Sequence, residues 1–304
     1  MPKKFVVTGG AGFIGSHIAD ALIEKGHSVH VVDNFFTGKK EYINPGAIFH
    51  NNDICKKESL YKIFEGADGV FHAAAQAKMQ LSIKDPILSH EINVTGTLNV
   101  LSVAKEVGVK RVVYSASSSA YGVKEKMPLS EDMRPEPIIP YAIQKYVGEE
   151  YCKMFYTFYD LETVSLRYFN VYGPRQSGEK DGPYATVIGI FLEQRGKGKT
   201  MTIVGDGTQR RDFVHVTDIA RGNLLAMDSK SIGTGEVINL GTGKSYSILE
   251  IAKLIGGPYM FISKRPGEVF EARADNTKAK KLLLWEPKIA LEKGLAMLKK
   301  EHSI

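Results

Sequence analysis

Cysteine is nearly missing from this chain: Cys55 and Cys152 are the only two among 304 residues. They stand far apart and match no metal spacing, which excludes a disulfide framework and a zinc site and leaves two reduced, packed thiols. Long apolar runs are missing as well, none approaching the ~18 residues of a membrane span. After Lys3 and Lys4 only Phe5, Val6 and Val7 precede a polar turn, too short an apolar run for a secretory leader. A cytoplasmic, membrane-free protein is therefore expected. No low-complexity tract or repeat occurs, and 43% hydrophobic with 24% charged residues is the composition of an ordered globular protein. The formal charge of +6 is carried by scattered lysines with no nucleic-acid recognition motif beside them, so nucleic acid is excluded as a partner. A basic balance of this kind suits a small, doubly anionic substrate.

What the chain does contain is alternation. Short apolar runs at 5–7, 28–32, 47–50, 69–72, 111–115 and 163–167 read as buried strands. Between them 14–25, 60–64, 93–107 and 141–159 carry helical spacing. This order predicts an α/β fold with a parallel sheet covered on both faces, doubly wound in the Rossmann manner. After Phe169, Gly-Pro and Gly-Lys punctuation marks a change toward a smaller α/β unit. The division expected is 1–170 with 212–240 as a dinucleotide-binding domain, and 171–211 with 241–304 as a substrate-binding domain.

The run TGGAGFIG joins the first strand to the first helix, with Gly9, Gly12 and Gly15 spaced GxxGxxG. Glycine permits the tight turn, the close approach of backbone to a pyrophosphate and tight packing of helix on strand, while the helix N-terminus offers amide donors. The second strand ends HVVD, so Asp33 stands where a carboxylate can hold a ribose 2'-hydroxyl and repel a 2'-phosphate, favouring NAD over NADP. YAIQK sets Tyr141 and Lys145 four apart on one helix face behind Pro140. A free phenol, of pKa about 10, is a poor base. A nearby ammonium and a cationic nicotinamide ring favour the phenolate.

In order and spacing, TGGAGFIG, VVDN, NDI, FHAAAQA, NVTGTLNVL, SASSSAYG, YAIQK, LRYFNVYGPRQ, IVGDG, RRDFVHVTDIARG, NLGTG and RPGE are similar to the extended short-chain dehydrogenases/reductases, specifically the UDP-galactose 4-epimerase group. The resemblance runs almost end to end. It implies that Gly9, Gly12, Phe13, Ile14, Gly15, Asp33, Asn34, Thr37, Gly38, Asp53, Ile54, Ala73, Ala74, Ala75, Asn93, Ser115, Tyr141, Lys145 and Tyr168 surround NAD. It implies that Ser117 joins Tyr141 and Lys145 in catalysis, bonding the sugar O4 while Tyr141 removes its proton. Substrate contacts implied beyond Ser117 and Tyr141 are Asn170, Thr186, Val187, Thr202, Val204, Arg211, Arg265 and Glu268.

The activity so implied is C4 inversion of a UDP-hexose by transient oxidation to a 4-keto sugar. The alternative is another nucleotide-sugar enzyme of the same group: a 4,6-dehydratase, a decarboxylase or a 4-ketosugar reductase. Dehydrating relatives carry an acid pair directly after the catalytic hydroxyl, and here those positions are Ser118 and Ser119. Ala272, at a position that is bulky in epimerases restricted to plain hexoses, implies room for an acetamido group and hence UDP-N-acetylglucosamine beside UDP-glucose. The helix from Tyr141 bears Tyr146, Tyr151, Phe155, Tyr156, Phe158 and Tyr159, more aromatic surface than one buried stripe hides. A homodimer through this helix and 93–107 is expected.

Overall fold

The structure is a computed structural model that describes residues 1–178, 185–263 and 270–304. Six strands form in chain order: β1 (Lys4–Thr8), β2 (Ser28–Asp33), β3 (Ile48–Asn51), β4 (Gly69–His72), β5 (Arg111–Ser117) and β6 (Glu162–Tyr168). With Thr234–Leu240 they make a seven-stranded sheet in the order Thr234–Leu240, β6, β5, β4, β1, β2, β3. Every pairing in it is parallel. The order reverses between β1 and β4, the switch point at which a doubly wound sheet opens a crevice beyond its C-terminal strand ends.

Strand alternation divides the apolar residues between two cores. Phe5 and Val7 face one side with Ile18, Leu22, Leu224 and Trp285, while Val6 faces the other with Leu101, Val112 and Phe155. Both faces are thus dry, as a parallel sheet needs. A third core gathers Tyr172, Phe191, Met201, Phe213, Ile251 and Leu295. Although Ala279, Leu283 and Trp285 come late in the chain, they pack into the first sheet core. The Trp285 indole N–H donates to the Asp218 carbonyl at 2.8 Å.

The helices that matter for the site are Phe13–Glu24, Gly96–Glu106 and Pro140–Tyr159. Pro140 starts the last of these, and Asp160, in a left-handed conformation, ends it. Gly96–Glu106 is preceded by a π-turn, Glu91–Thr95, which periodicity had merged into one helix. Two short helices, Met79–Lys84 and Pro86–His90, escaped the periodicity because each is under two turns long. Among the described residues no helix is long and apolar enough to cross a membrane.

Candidate active site

Beyond the ends of β1, β2 and β4 lies a cleft of about 530 Å³. Its base is the glycine turn. Gly9 holds φ of 70°, and a Cβ there would meet the Ala74 amide nitrogen at 2.6 Å, so only glycine lets the tips of β1 and β4 lie this close. At Gly15 a Cβ would fall 2.1 Å from the Gly9 carbonyl oxygen, because the helix start is packed onto the turn itself. Gly12 caps that helix with backbone alone, and a Cβ there would meet only the Gly9 oxygen, at 3.1 Å. Its outer side therefore opens to the cleft, where the helix N-terminus attracts an anion.

Asp33, at the tip of β2, is 8% exposed and accepts the Ala11 N–H at 3.0 Å and the Phe35 N–H at 2.8 Å. Burial raises its pKa, while these two amide bonds oppose the rise. Each carboxylate oxygen keeps a lone pair for a hydroxyl donor. Across the cleft, Asp53 accepts the Asn34 side-chain amide at 3.0 Å and the Cys55 N–H at 2.8 Å. An anion cradle of amides beside a carboxylate that can take sugar hydroxyls fits a dinucleotide with an unphosphorylated ribose.

Of the expected cofactor residues, Gly9, Gly12, Phe13, Ile14, Gly15, Asp33, Asn34, Thr37, Gly38, Asp53, Ile54, Ala73, Ala74 and Ala75 all line this cleft. Asn93, Ser115, Tyr141, Lys145 and Tyr168 do not; they belong to the neighbouring β5, β6 and helix framework. The cleft also takes Phe35, Phe36, Tyr42, Lys78, Ile92, Arg175 and Ser177, which the sequence reading did not assign. The loop following Asp33 and the YGPRQ segment were the available signals.

Asn93, 1% exposed, sits within the π-turn and clamps the cleft wall from behind. Its side-chain Oδ1 accepts the Gln76 N–H at 2.8 Å and its Nδ2 donates to the Gln76 backbone carbonyl at 3.0 Å and to Gln144 Oε1 at 2.9 Å. Gln144 precedes Lys145, so one amide ties the wall to the Pro140–Tyr159 helix. Asn93→Ala should cost about 3 kcal/mol, since buried Gln76 backbone groups lose their partners. Thermal melting and the rate of cofactor loss from the loosened wall would read it.

Tyr141 is 9% exposed and Lys145 4%. Burial raises the Tyr141 phenol, and a hydrogen bond with the Ser117 side chain opposes this. The expected acidification by a neighbouring ammonium is therefore not the leading influence in the protein alone. The Lys145 ammonium lies 4.7 Å from the centre of the Tyr114 ring. Burial lowers it to about 8, with Cys152 and Glu149 acting in the other direction. Ser117 ends β5, and its oxygen accepts the Ser119 hydroxyl at 2.8 Å and the Ser119 N–H at 3.2 Å. With those donors on its oxygen, the Ser117 proton is left to give. Next to it Ser115 bonds the Tyr168 hydroxyl at 3.0 Å, and Tyr168 donates to Asn223 Oδ1 at 2.9 Å. Burial holds the Tyr168 phenol up at about 12, so it stays neutral.

Behind the glycine turn, His72 is fully buried between Thr8, at 2.7 Å from Nδ1, and Thr97, at 2.9 Å from Nε2. Thr97 spends its proton on the Asn93 carbonyl at 2.7 Å, which leaves His72 Nε2 the donor. Burial lowers this imidazole to about 3, so it is a neutral strut.

The expected substrate residues scatter over the third core. Thr186 lines the cleft and caps the helix Val187–Gly196, of which Val187 is the first residue. Asn170 opens the strand Asn170–Tyr172. Thr202 and Val204 lie on Met201–Val204, where Thr202 Oγ1 accepts from Gln194 Nε2 at 3.1 Å. Arg211 turns its guanidinium to the Arg210 carbonyl at 2.9 Å, and its strand pairs with Ala272. Arg265 and Glu268 lie outside the described residues. Among the described residues no cluster of metal-ligating side chains occurs.

Residues 5–241 match the model of a family described as the NAD dependent epimerase/dehydratase family. A putative UDP-glucose 4-epimerase of Methanocaldococcus jannaschii is 41% identical over 298 residues, covering 95% of each chain. Among solved structures, a UDP-glucose 4-epimerase of Thermotoga maritima with UDP-glucose superimposes with a TM-score of 0.93 at 41% identity, over 98% of this chain and 97% of that one. A UDP-N-acetylglucosamine 4-epimerase of Methanobrevibacter ruminantium, in complex with UDP-N-acetylmuramic acid, gives 0.93 at 36% identity over 98% and 97%.

Proposed function

The chain belongs to the NAD dependent epimerase/dehydratase family, within the extended short-chain dehydrogenases/reductases, and from that premise we propose that it inverts C4 of a UDP-hexose. The observation that carries the reading is the placement of Tyr141 and Lys145 one turn apart on the buried face of Pro140–Tyr159, with Ser117 at the end of β5 acting on the Tyr141 phenol. NAD would be held by the glycine turn, Asp33 and the wall of Ala73, Ala74 and Ala75, and when bound it supplies hydride transfer at C4 and a positive ring that favours phenolate. Tyr141 takes the O4 proton during oxidation and returns it during reduction. Ser117, its oxygen held by Ser119, donates to the sugar oxygen and fixes its approach. Lys145 supplies positive charge in a dry interior, where it counts for more than in water.

Ser118 and Ser119 offer no carboxyl proton for expelling water, which supports simple redox at one carbon over elimination. Asn170, Thr186, Val187, Thr202, Val204 and Arg211 are assigned to the nucleotide sugar, within a smaller unit built on the third core. The small Ala272 side chain beside Arg211 supports acceptance of an N-acetylated sugar. We also assign a homodimer to the Pro140–Tyr159 helix, on which Phe158 is 73% exposed and Ile143 46%.

The deciding experiment incubates the purified protein, without added cofactor, with UDP-glucose and with UDP-N-acetylglucosamine and resolves the C4 epimers. Inversion of both is expected. Inversion of UDP-glucose alone would remove the N-acetyl assignment, and inversion of neither, with no nicotinamide nucleotide released on denaturation, would sink the reading.

A further inference from the structure

Behind the proposed catalytic groups lies a buried ion pair that the mechanism above does not use. Arg167, on β6, donates from Nε to Glu149 Oε1 at 2.9 Å and from Nη2 to Glu149 Oε2 at 2.7 Å. The two side chains are 2% and 0% exposed. Taking two charges this far from water costs several kcal/mol per ion, and an apolar pair of equal volume commonly holds a core as well or better. Stability alone therefore does not account for it.

The surroundings of the pair join three pieces of the site. Glu149 stands one helical turn beyond Lys145 and two beyond Tyr141, on the same buried face of Pro140–Tyr159. The Arg167 guanidinium lies 4.4 Å from the centre of the Tyr121 ring, and Tyr121 ends the turn Ser118–Tyr121 that follows Ser117. The Tyr121 hydroxyl donates to Asn239 Oδ1 at 2.7 Å, and the Asn239 amide donates to the Leu129 carbonyl at 2.9 Å. The guanidinium thus donates to the helix that bears Tyr141 and Lys145 and lies against the Tyr121 ring of the segment that follows Ser117.

We propose that Glu149 and Arg167 are positioning residues for the C4 chemistry: Glu149 keeps the Lys145 ammonium charged inside the protein, and Arg167 docks the serine segment against the same helix. The inference rests on the reading of Lys145 given under the proposed function. The groups facing the ammonium are few. Glu149 and Cys152 come from its own helix, which carries Tyr141 one turn earlier, His72 from β4, and Tyr114 from β5, with Arg167 on β6 behind Glu149. His72 is neutral, and burial pushes Tyr114 and Cys152 upward; burial raises Glu149 too, but the Arg167 fork opposes this and favours its carboxylate, which makes it the counter-charge. Burial pulls the Lys145 ammonium down, and Glu149 opposes that pull.

The test compares pH profiles of kcat for the NAD-loaded enzyme with those of Glu149→Gln and of the paired Glu149→Leu/Arg167→Met. Removing the carboxylate lets Lys145 shed its proton more easily, so the alkaline limb of activity should move to lower pH by about one unit in Glu149→Gln. The paired variant loses an opposing positive charge as well, so its shift should run the same way and be smaller. That variant keeps the packing volume and serves where the single one fails to fold. Profiles that overlay the parent's, or a limb that moves to higher pH, would overturn the proposal even if melting temperature changes. A parent enzyme that inverts no sugar would instead overturn the underlying reading of the site, which separates the two failures.

Discussion

Replacing Tyr141 with phenylalanine is expected to slow C4 inversion roughly a thousandfold while leaving bound NAD in place. The ring is 9% exposed and packed at the start of its helix, so phenylalanine fills the same space and the fold should be untouched. What disappears is the phenol oxygen on which Ser117 acts, Ser117 itself accepting the Ser119 hydroxyl. Without that oxygen the sugar O4 has no acceptor for its proton, and water is kept out by the buried surroundings. Epimer ratios over time measure the rate, and nucleotide content after denaturation measures retention. A variant within about tenfold of the parent, no more than one pKa unit's worth of free energy, would remove Tyr141 from the mechanism.

The second large effect is at Gly15. An alanine there puts its Cβ 2.1 Å from the Gly9 carbonyl oxygen, a distance no side chain tolerates. The obstruction is backbone on both sides, so the helix Phe13–Glu24 must retreat from the turn. Overpacking of this kind costs about 3 kcal/mol. Retreat also carries the helix amides away from where the pyrophosphate would lie, and a misplacement of about 1 Å is worth on the order of a hundredfold in binding or rate. Gly15→Ala should therefore melt earlier and emerge from purification largely free of nicotinamide nucleotide. A variant that keeps both its melting temperature and its nucleotide would show that the glycine turn is not the cofactor cradle.

Strand and helix positions on the sheet side were readable from sequence because a two-sided parallel sheet writes itself as apolar runs. The run 69–72 is β4 residue for residue, and 111–115 is β5 but for its last two residues, Ala116 and Ser117. That Tyr141 and Lys145 share one buried helix face was legible through helical spacing, and the tight turn through the conformations glycine permits. Asn93 shows where reading stopped. Apart from the resemblance, its spacing makes it one more helical residue, whereas the π-turn that points it at Gln76 depends on packing against a loop met earlier in the chain. The YGPRQ segment marked Arg175, but not its place in the cleft, where it makes an ion pair of 2.7 Å with Asp20, 155 residues away in the chain. The Glu149 and Arg167 pair likewise needs a helix and a strand brought together before its purpose can be asked.

The position of Thr234–Leu240 at the rim of the sheet has a consequence for how the chain is made. Six strands are synthesised by residue 168, and the seventh, which seals β6, emerges only after a long intervening stretch. Until then β6 presents an open row of amides and carbonyls beside Val164 and Leu166, both fully covered in the finished protein. A nascent chain halted before the closing strand is thus a sticky template for its neighbours, and production of C-terminal truncations should yield aggregates rather than a smaller working enzyme.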